Sequence, residues 1–356
     1  MKYLFLKYLI WYPLAMQRKG RLTTLVLFVS AVALLSAGLF ISNLFKETKP
    51  FQRSEYIMGT IFDVTVIGDN EKVIEAVAVK AFDEIKRIDG LMSRYKEGSE
   101  VSLVNKNAGI APVKVGQELI EVLKEARRVS ELSDGAFDVT IGPLSNLWAF
   151  DEDKGNIPSP EKIEELKRLV DYKRMKIDDS DSTVYLEKRG MMVDVGGIAK
   201  GYALKKAMKV FEDAGIGNVI INAGGNLNLR GTKRGKPWKI GIQEPRDEKK
   251  LLGVLNITDT SVSTSGDYQR YFVKDGIRYH HILDPKTGSP AKGLMSMTLT
   301  GRNETMTDAL STAVFVLGAE KGVALMKRAG VEGVIVTEGG KITVSDGLKD
   351  VFSRKP

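Results

Sequence analysis

Between Leu22 and Phe45 the chain runs for 24 residues without a charged side chain. At 1.5 Å of rise per residue, a helix of that length crosses a hydrocarbon core of about 30 Å, which makes the segment a membrane span before it is anything else. The charges ahead of it, on Lys2, Lys7, Arg18, Lys19 and Arg21, are all positive and no acidic residue offsets them. The bias of basic residues towards the cytoplasm then places the N-terminus inside and the rest of the chain outside. A cleaved signal peptide is the alternative, and the small residues Ser36-Ala37-Gly38 would allow cleavage. Its apolar region is normally only about 7–15 residues, so the length favours an uncleaved anchor. The expected organisation is a cytoplasmic basic segment over 1–21, a transmembrane anchor in the cytoplasmic (inner) membrane over 22–45, a tether over 46–53, and a domain over 54–356 on the outer, periplasmic side.

The formal charge of +8 invites a nucleic-acid partner, but five of those charges lie on the flank just described. No basic stripe with interleaved aromatics follows, so nucleic acid is not an expected partner. There is no cysteine, which excludes disulfides, thiolate metal sites and a lipid-accepting cysteine.

After the tether, Ser54 to Ile67 alternates like a strand around Met58-Gly59-Thr60, where the glycine marks a bend or a close backbone approach. From Glu71 to Met92 apolar residues recur at helical spacing, with Ile74, Val77, Ala78, Ala81, Ile85 and Ile88 forming a stripe. A second helix is predicted over Gly116–Leu132, stopped by Ser133-Asp134-Gly135, and a third over Ile198–Ala214, ended near Gly215. Asp151 to Pro160 reads as a surface loop, and Val219 to Phe272 as mostly strand. The chain closes with a strand (Met295–Thr300), two helices (Thr305–Leu317 and Glu320–Ala329) and two strands around Gly339-Gly340. Strands and helices mix without regular βαβ repetition, which argues for an α+β fold.

The most chemically loaded stretch is late. Tyr279-His280-His281-Ile282-Leu283-Asp284-Pro285-Lys286-Thr287-Gly288 holds both histidines of the chain and precedes Thr307-Asp308-Ala309-Leu310-Ser311-Thr312-Ala313. Residues four apart share a helix face, so Asp308 and Thr312 can offer a carboxylate and a hydroxyl to one point, a donor pair that suits Mg²⁺. The bland alternative for Asp308 is a capping box with Thr305. His281 lies next to Asp284, and a neighbouring carboxylate would fix its tautomer and raise its pKa into the working range. Upstream, Asp194-Val195-Gly196-Gly197-Ile198-Ala199-Lys200-Gly201-Tyr202 opens a helix after an apolar strand. Such a junction, with Lys200 in its first turn, attracts phosphate, although a plain strand-to-helix turn reads the same. Asn222-Ala223-Gly224-Gly225-Asn226 is a second glycine turn that does not match the dinucleotide fingerprint, and a Walker loop and a zinc HExxH motif are absent. Asp138, beside Gly142-Pro143, reads on its own as a turn cap.

Taken in order, these blocks resemble the ApbE family of FAD:protein FMN transferases. The resemblance runs from Met58-Gly59-Thr60 through Ser93-Arg94-Tyr95, Asn105, Gly135-Ala136-Phe137-Asp138, Asp194 to Tyr202, Asn222 to Gly225 and His281 to Gly288 up to Asp308–Ala313. It implies a mixed α/β body related to the T-fold, with Mg²⁺ ligated by Asp308, Thr312 and the backbone carbonyl of Gly197, and Ser311 beside the same ion. It further implies contacts with FAD, as substrate, from Met58, Tyr95, Ala136, Phe137, Asp138, Asp194, Lys200 and the Leu283 backbone. The implied reaction moves FMN from FAD to a threonine hydroxyl of a target protein and releases AMP. His281, helped by Asp284, and Asp308 compete as the base. The implied acceptors are flavin-bearing subunits of membrane redox complexes. An Mg²⁺-dependent FAD pyrophosphatase would use the same ligands, and an anchored flavin-binding protein without turnover would have no use for the metal.

Overall fold

The computed structural model describes residues 29–32, 49–148, 150 and 155–355. The chain divides into Met1–Lys49 and Pro50–Pro356. In the first unit residues 29–32 are helical; the rest of the expected anchor, like residues 151–154 of the expected loop, lies outside the described residues.

The second unit is built on one eight-stranded sheet. Its strands are β1 (Phe51–Ile57), β2 (Thr60–Val66), β3 (Val219–Ala223), β4 (Asn226–Arg230), β5 (Thr260–Gly266), β6 (Leu294–Gly301), β7 (Glu332–Thr337) and β8 (Ile342–Val344). Each pairs antiparallel with the next, so spatial order follows chain order and the sheet is a meander. β1 begins at Phe51, so the last three residues of the expected tether belong to the sheet.

The single strand expected over 54–67 is a hairpin. Met58 and Gly59 stand at φ 53° and 74°, the left-handed pair that a two-residue turn needs to match strand twist. Gly224 and Gly225, at φ 58° and 99°, make the corresponding turn between β3 and β4. The two tips lie together: a Cβ on Gly224 would stand 2.2 Å from Thr60 Oγ1.

Helices fill the long connections and cover one face. α1 (Glu71–Met92) is capped by Asn70, whose side chain accepts from Val73 N, and it buries the whole predicted stripe. α2 (Gln117–Leu132) starts one residue after its Gly116 cap and ends where Asp134 and Gly135 turn left-handed. α3 (Ala199–Asp213) packs on β3 and β4, and α4 (Glu304–Ala329) on β5, β6 and β7. α4 holds the two helices expected from the sequence, separated by Gly318 at φ 76°, ψ −176°. It is long and apolar enough to cross a membrane, but half of its apolar stretch is buried in the body.

The opposite face is covered by a three-stranded sheet of Trp238–Glu244, Asp247–Ile257 and Phe352–Arg354. Alternation along β7 records both layers: Ile335 joins the helical core, while Val334 and Val336 join Trp238, Ile240 and Leu255. A smaller cluster of Leu144, Trp148, Ile163, Phe272 and Leu283 braces the segments beside the site.

Candidate functional site

The site forms where the starts of α3 and α4 meet. The cap position of α3 is Ile198, which has no side-chain acceptor. An early N–H of the helix therefore looks elsewhere, and Gly201 N donates to Asp308 Oδ2 at 2.9 Å. Asp308 thus caps a helix 107 residues away in sequence, while its own helix is capped by Asn303 accepting from Met306 N. The expected alternative, a capping box with Thr305, is not what forms. Close approach depends on Gly201, where a Cβ would sit 2.3 Å from Glu304 O and 2.8 Å from Asp308 Cβ.

The second oxygen, Asp308 Oδ1, accepts from Asn226 Nδ2 at 2.8 Å. Thr312 is one turn further along α4 and faces the Gly196-Gly197 turn: a Cβ on Gly197 would lie 3.4 Å from Thr312 Oγ1. Asp308 and Thr312 share one face of α4, as their spacing predicts, and the Gly197 turn that the resemblance brought in lies beside Thr312. Each carboxylate oxygen holds a single protein donor and keeps lone-pair capacity. Among the described residues no three His, Cys, Asp or Glu side chains cluster. A cation here would rest on one carboxylate and neutral oxygens, a set that fits Mg²⁺ completed by water and substrate phosphate. The Ser311 hydroxyl has protein partners: it donates to Asp308 O at 2.8 Å and meets Ser265 Oγ at 2.9 Å, buried against β5.

Of the expected flavin contacts, Phe137, Asp194 and Lys200 lie at the Gly196-Gly197 turn. Phe137 Cε2 would stand 3.2 Å from a Cβ on Gly197, and Asp194 N donates to Val139 O, so the 136–139 segment lies along the turn. Ala136, Phe137 and Leu283 are buried. Asp138 is the turn cap that its local sequence suggests: it accepts from Thr140 N, Thr140 Oγ1 and Tyr172 N, and burial pushes its carboxyl up. Asp194 accepts from Gly196 N and pairs with Arg94, whose Nε lies 3.2 Å from Asp194 Oδ2. The Arg94 guanidinium, nearly buried, also donates to the Tyr95 hydroxyl at 2.6 Å and lies 4.4 Å from the Tyr95 ring centroid. Tyr95 itself is 75% exposed, an aromatic plate held from behind. Lys200 Nζ donates to Gly196 O. Met58 is the turn at the first hairpin tip.

The two histidines differ. His280 is the structural one, donating from Nε2 to Ala291 O at 2.8 Å and accepting on Nδ1 from Ile282 N. His281 places Nδ1 3.3 Å from Arg270 O; a carbonyl only accepts, so the proton sits on Nδ1 and Nε2 keeps its lone pair. The expected help from Asp284 is not present. Asp284 Oδ1 accepts from Lys286 N and its carbonyl from Gly288 N, so it shapes its own loop. Nor is His281 raised: burial, then His280, Arg270 and Lys200, push it down to about 3. The loop is tied to the 130s by Lys286 on Asp134 at 2.9 Å.

Three residues that hold the site carried no assigned role in the sequence: Arg94, Gly201 and Asn226. Only Asn226 left a usable signal. Asn226-Leu227-Asn228-Leu229-Arg230 alternates polar with apolar, yet Asn226 and Asn228 are both buried, the mark of a strand whose polar face meets protein.

Comparison with known proteins identifies the family and the fold. The profile of the ApbE family matches residues 58–336. The chain is 32% identical over 332 residues to a FAD:protein FMN transferase of Haemophilus influenzae, covering 89% of this chain and 95% of that one. It is 31% identical over 324 residues to one of Escherichia coli, covering 87% and 92%. Among solved structures it resembles the ApbE protein of Thermotoga maritima (TM-score 0.79, 37% identity, 85% of this chain and 99% of that one). It also resembles the flavin transferase ApbE of Vibrio cholerae (TM-score 0.74, 29% identity, 85% and 99%).

Proposed function

The chain belongs to the ApbE family and is a FAD:protein FMN transferase, and from that premise we propose that it delivers FMN to a threonine hydroxyl with Mg²⁺ held by Asp308, Thr312 and the Gly197 carbonyl. The observation carrying this reading is the meeting of Asp308 and Thr312 with the Gly197 turn at the start of α3. Mg²⁺ bound there supplies neutralisation of charge on the diphosphate oxygens.

The chain's own residues do the rest. The start of α3 offers N–H groups, the positive end of its dipole and Lys200 to the diphosphate. Tyr95 offers an aromatic face for a flavin ring. The threonine oxygen attacks the FMN-side phosphorus, the bond to the AMP half breaks with its electron pair, and AMP leaves. Asp308, whose two oxygens are already held, acts as ligand; His281 Nε2 accepts the hydroxyl proton. In the free protein His281 is a weak base because burial first, and then the neighbouring Arg270 and Lys200 cations, disfavour its charged form; the negative diphosphate opposes those cations.

Residues 22–45 are read as a membrane anchor with the body on the outer face of the cytoplasmic membrane, supported by their length and basic flank. Acceptors that are subunits of membrane redox complexes would then be met in two dimensions.

The test is incubation with FAD and Mg²⁺, with an acceptor bearing its target threonine or valine in its place. Flavin that survives denaturation on the threonine acceptor alone, and is lost with EDTA, is the expected result. FMN release that ignores the acceptor would make the chain a pyrophosphatase, binding without turnover would make it a flavin store, and transfer indifferent to EDTA would remove the metal.

A further inference from the structure

We infer that Asn226 is a positioning residue for the cation site, orienting the Asp308 carboxylate towards Thr312 and the Gly197 turn; this rests on the cation reading above. The bond from Asn226 Nδ2 to Asp308 Oδ1 is 2.8 Å long and both side chains are buried. Asn226 itself cannot drift. It follows the Gly224-Gly225 turn directly, and its main chain pairs with Ala223 on one side and Ser263 on the other, inside the sheet. A donor on a central strand therefore fixes an acceptor on a helix.

Two residues along, Asn228 Nδ2 donates to Glu304 Oε1 at 2.8 Å, and Arg230 adds a 3.2 Å contact to the same oxygen. Residues two apart on a strand rise by about 6.6 Å, and residues four apart on a helix by about 6 Å, so the two rungs match. The 228–304 rung sets how far α4 slides along β4, and the 226–308 rung sets the rotation of the carboxylate. With Gly201 N on Oδ2, the two donors hold Asp308 in a single orientation and leave one side of each oxygen open. Ligand orientation by such outer hydrogen bonds is worth roughly 10–100-fold in metal affinity.

The experiment uses the full-length chain and Mn²⁺ as a paramagnetic stand-in for Mg²⁺, with free Mn²⁺ followed by its electron paramagnetic resonance signal in the presence of ADP. Asn226→Leu keeps the branching at Cγ and removes the donor. It is expected to weaken Mn²⁺ binding about tenfold and to raise by the same factor the Mg²⁺ concentration for half-maximal flavin transfer. A merely structural role would lower the thermal midpoint and leave the Mg²⁺ requirement unchanged. Should Asn226→Leu not fold, Asn226→Ser, too short to reach Asp308, carries the same expectation. Wild-type Mn²⁺ affinity in a folded variant overturns the inference. Absence of Mn²⁺ binding by the wild type, or unaltered binding by Asp308→Ala, overturns instead the cation reading beneath it.

Discussion

Asp308 caps α3 in the structure, and the proposed function gives it a second, chemical job as the charged ligand of the cation. Asp308→Ala removes the proposed charged ligand and uncaps α3, leaving Gly201 N and Asn226 Nδ2 without their acceptor. Transfer should fall by about 100-fold or more, the scale of a lost electrostatic ligand, and stability by about 1–2 kcal/mol, the scale of a lost cap. Thr312→Ala removes a proposed neutral ligand and no cap; its transfer should fall less, and its urea midpoint should stay at the wild-type value. Identical midpoints for the two variants would contradict the capping role. His281 makes a prediction of opposite kind. Its folded pKa lies near 3 against about 6.5 in the unfolded chain, so between those values the unfolded chain binds a proton that the folded chain refuses. Stability from this residue is complete above about pH 6.5 and declines as pH falls, by up to about 1.4 kcal/mol per pH unit. His280, also depressed by burial, acts in the same direction. Urea titrations at pH 7 and pH 5 should show a loss that His281→Gln reduces; equal slopes would refute the assignment.

The elements that sequence period predicts well are those whose period is long. The stripe from Ile74 to Ile88 yields α1 with its bounds intact, and α2 and α3 begin and end within a residue of expectation. The helices Glu100–Lys106, Gly142–Leu147 and Pro160–Lys167 were not legible, because two turns carry too little periodicity to register. Gly142-Pro143 reads as a turn, yet proline is tolerated in a helix's first turn, where its missing N–H has no partner to lose. The decisive contact at this scale is that of α3 against α4. Gly201→Ala would put a methyl into Glu304 O, so the helices must separate. Destabilisation of about 1–3 kcal/mol is expected, together with a raised Mg²⁺ requirement, because Asp308 moves with α4. Thermal unfolding and a Mg²⁺ titration of transfer check both; a variant with a wild-type midpoint would show that the helices have slack.

At the scale of the molecule, residues 50–356 form a compact unit with its own layers, and the charge-free segment lies outside it. A chain beginning at Lys49 should therefore partition into the soluble fraction with FAD turnover retained, while the full chain sediments with membranes; a full chain that stays in the supernatant would remove the anchor. The amino-acid order determined by itself the long helices, the glycine turns, the late pairing of Asp308 with Thr312 and, through ordered motifs, the family. Those signals are local, or repeat along the chain, and can be read without knowing what touches what. Only the tertiary structure decided that Asp308 caps another helix, that Ser311 points into the body, that Asp284 serves its own loop, and that His281 is held neutral. Each of those depends on a partner distant in sequence, such as Gly201 and Asn226 for Asp308 at separations of 107 and 82 residues, or on burial that collects charges from several segments. A side chain's type limits the bonds it can make, and packing alone chooses which of them it makes.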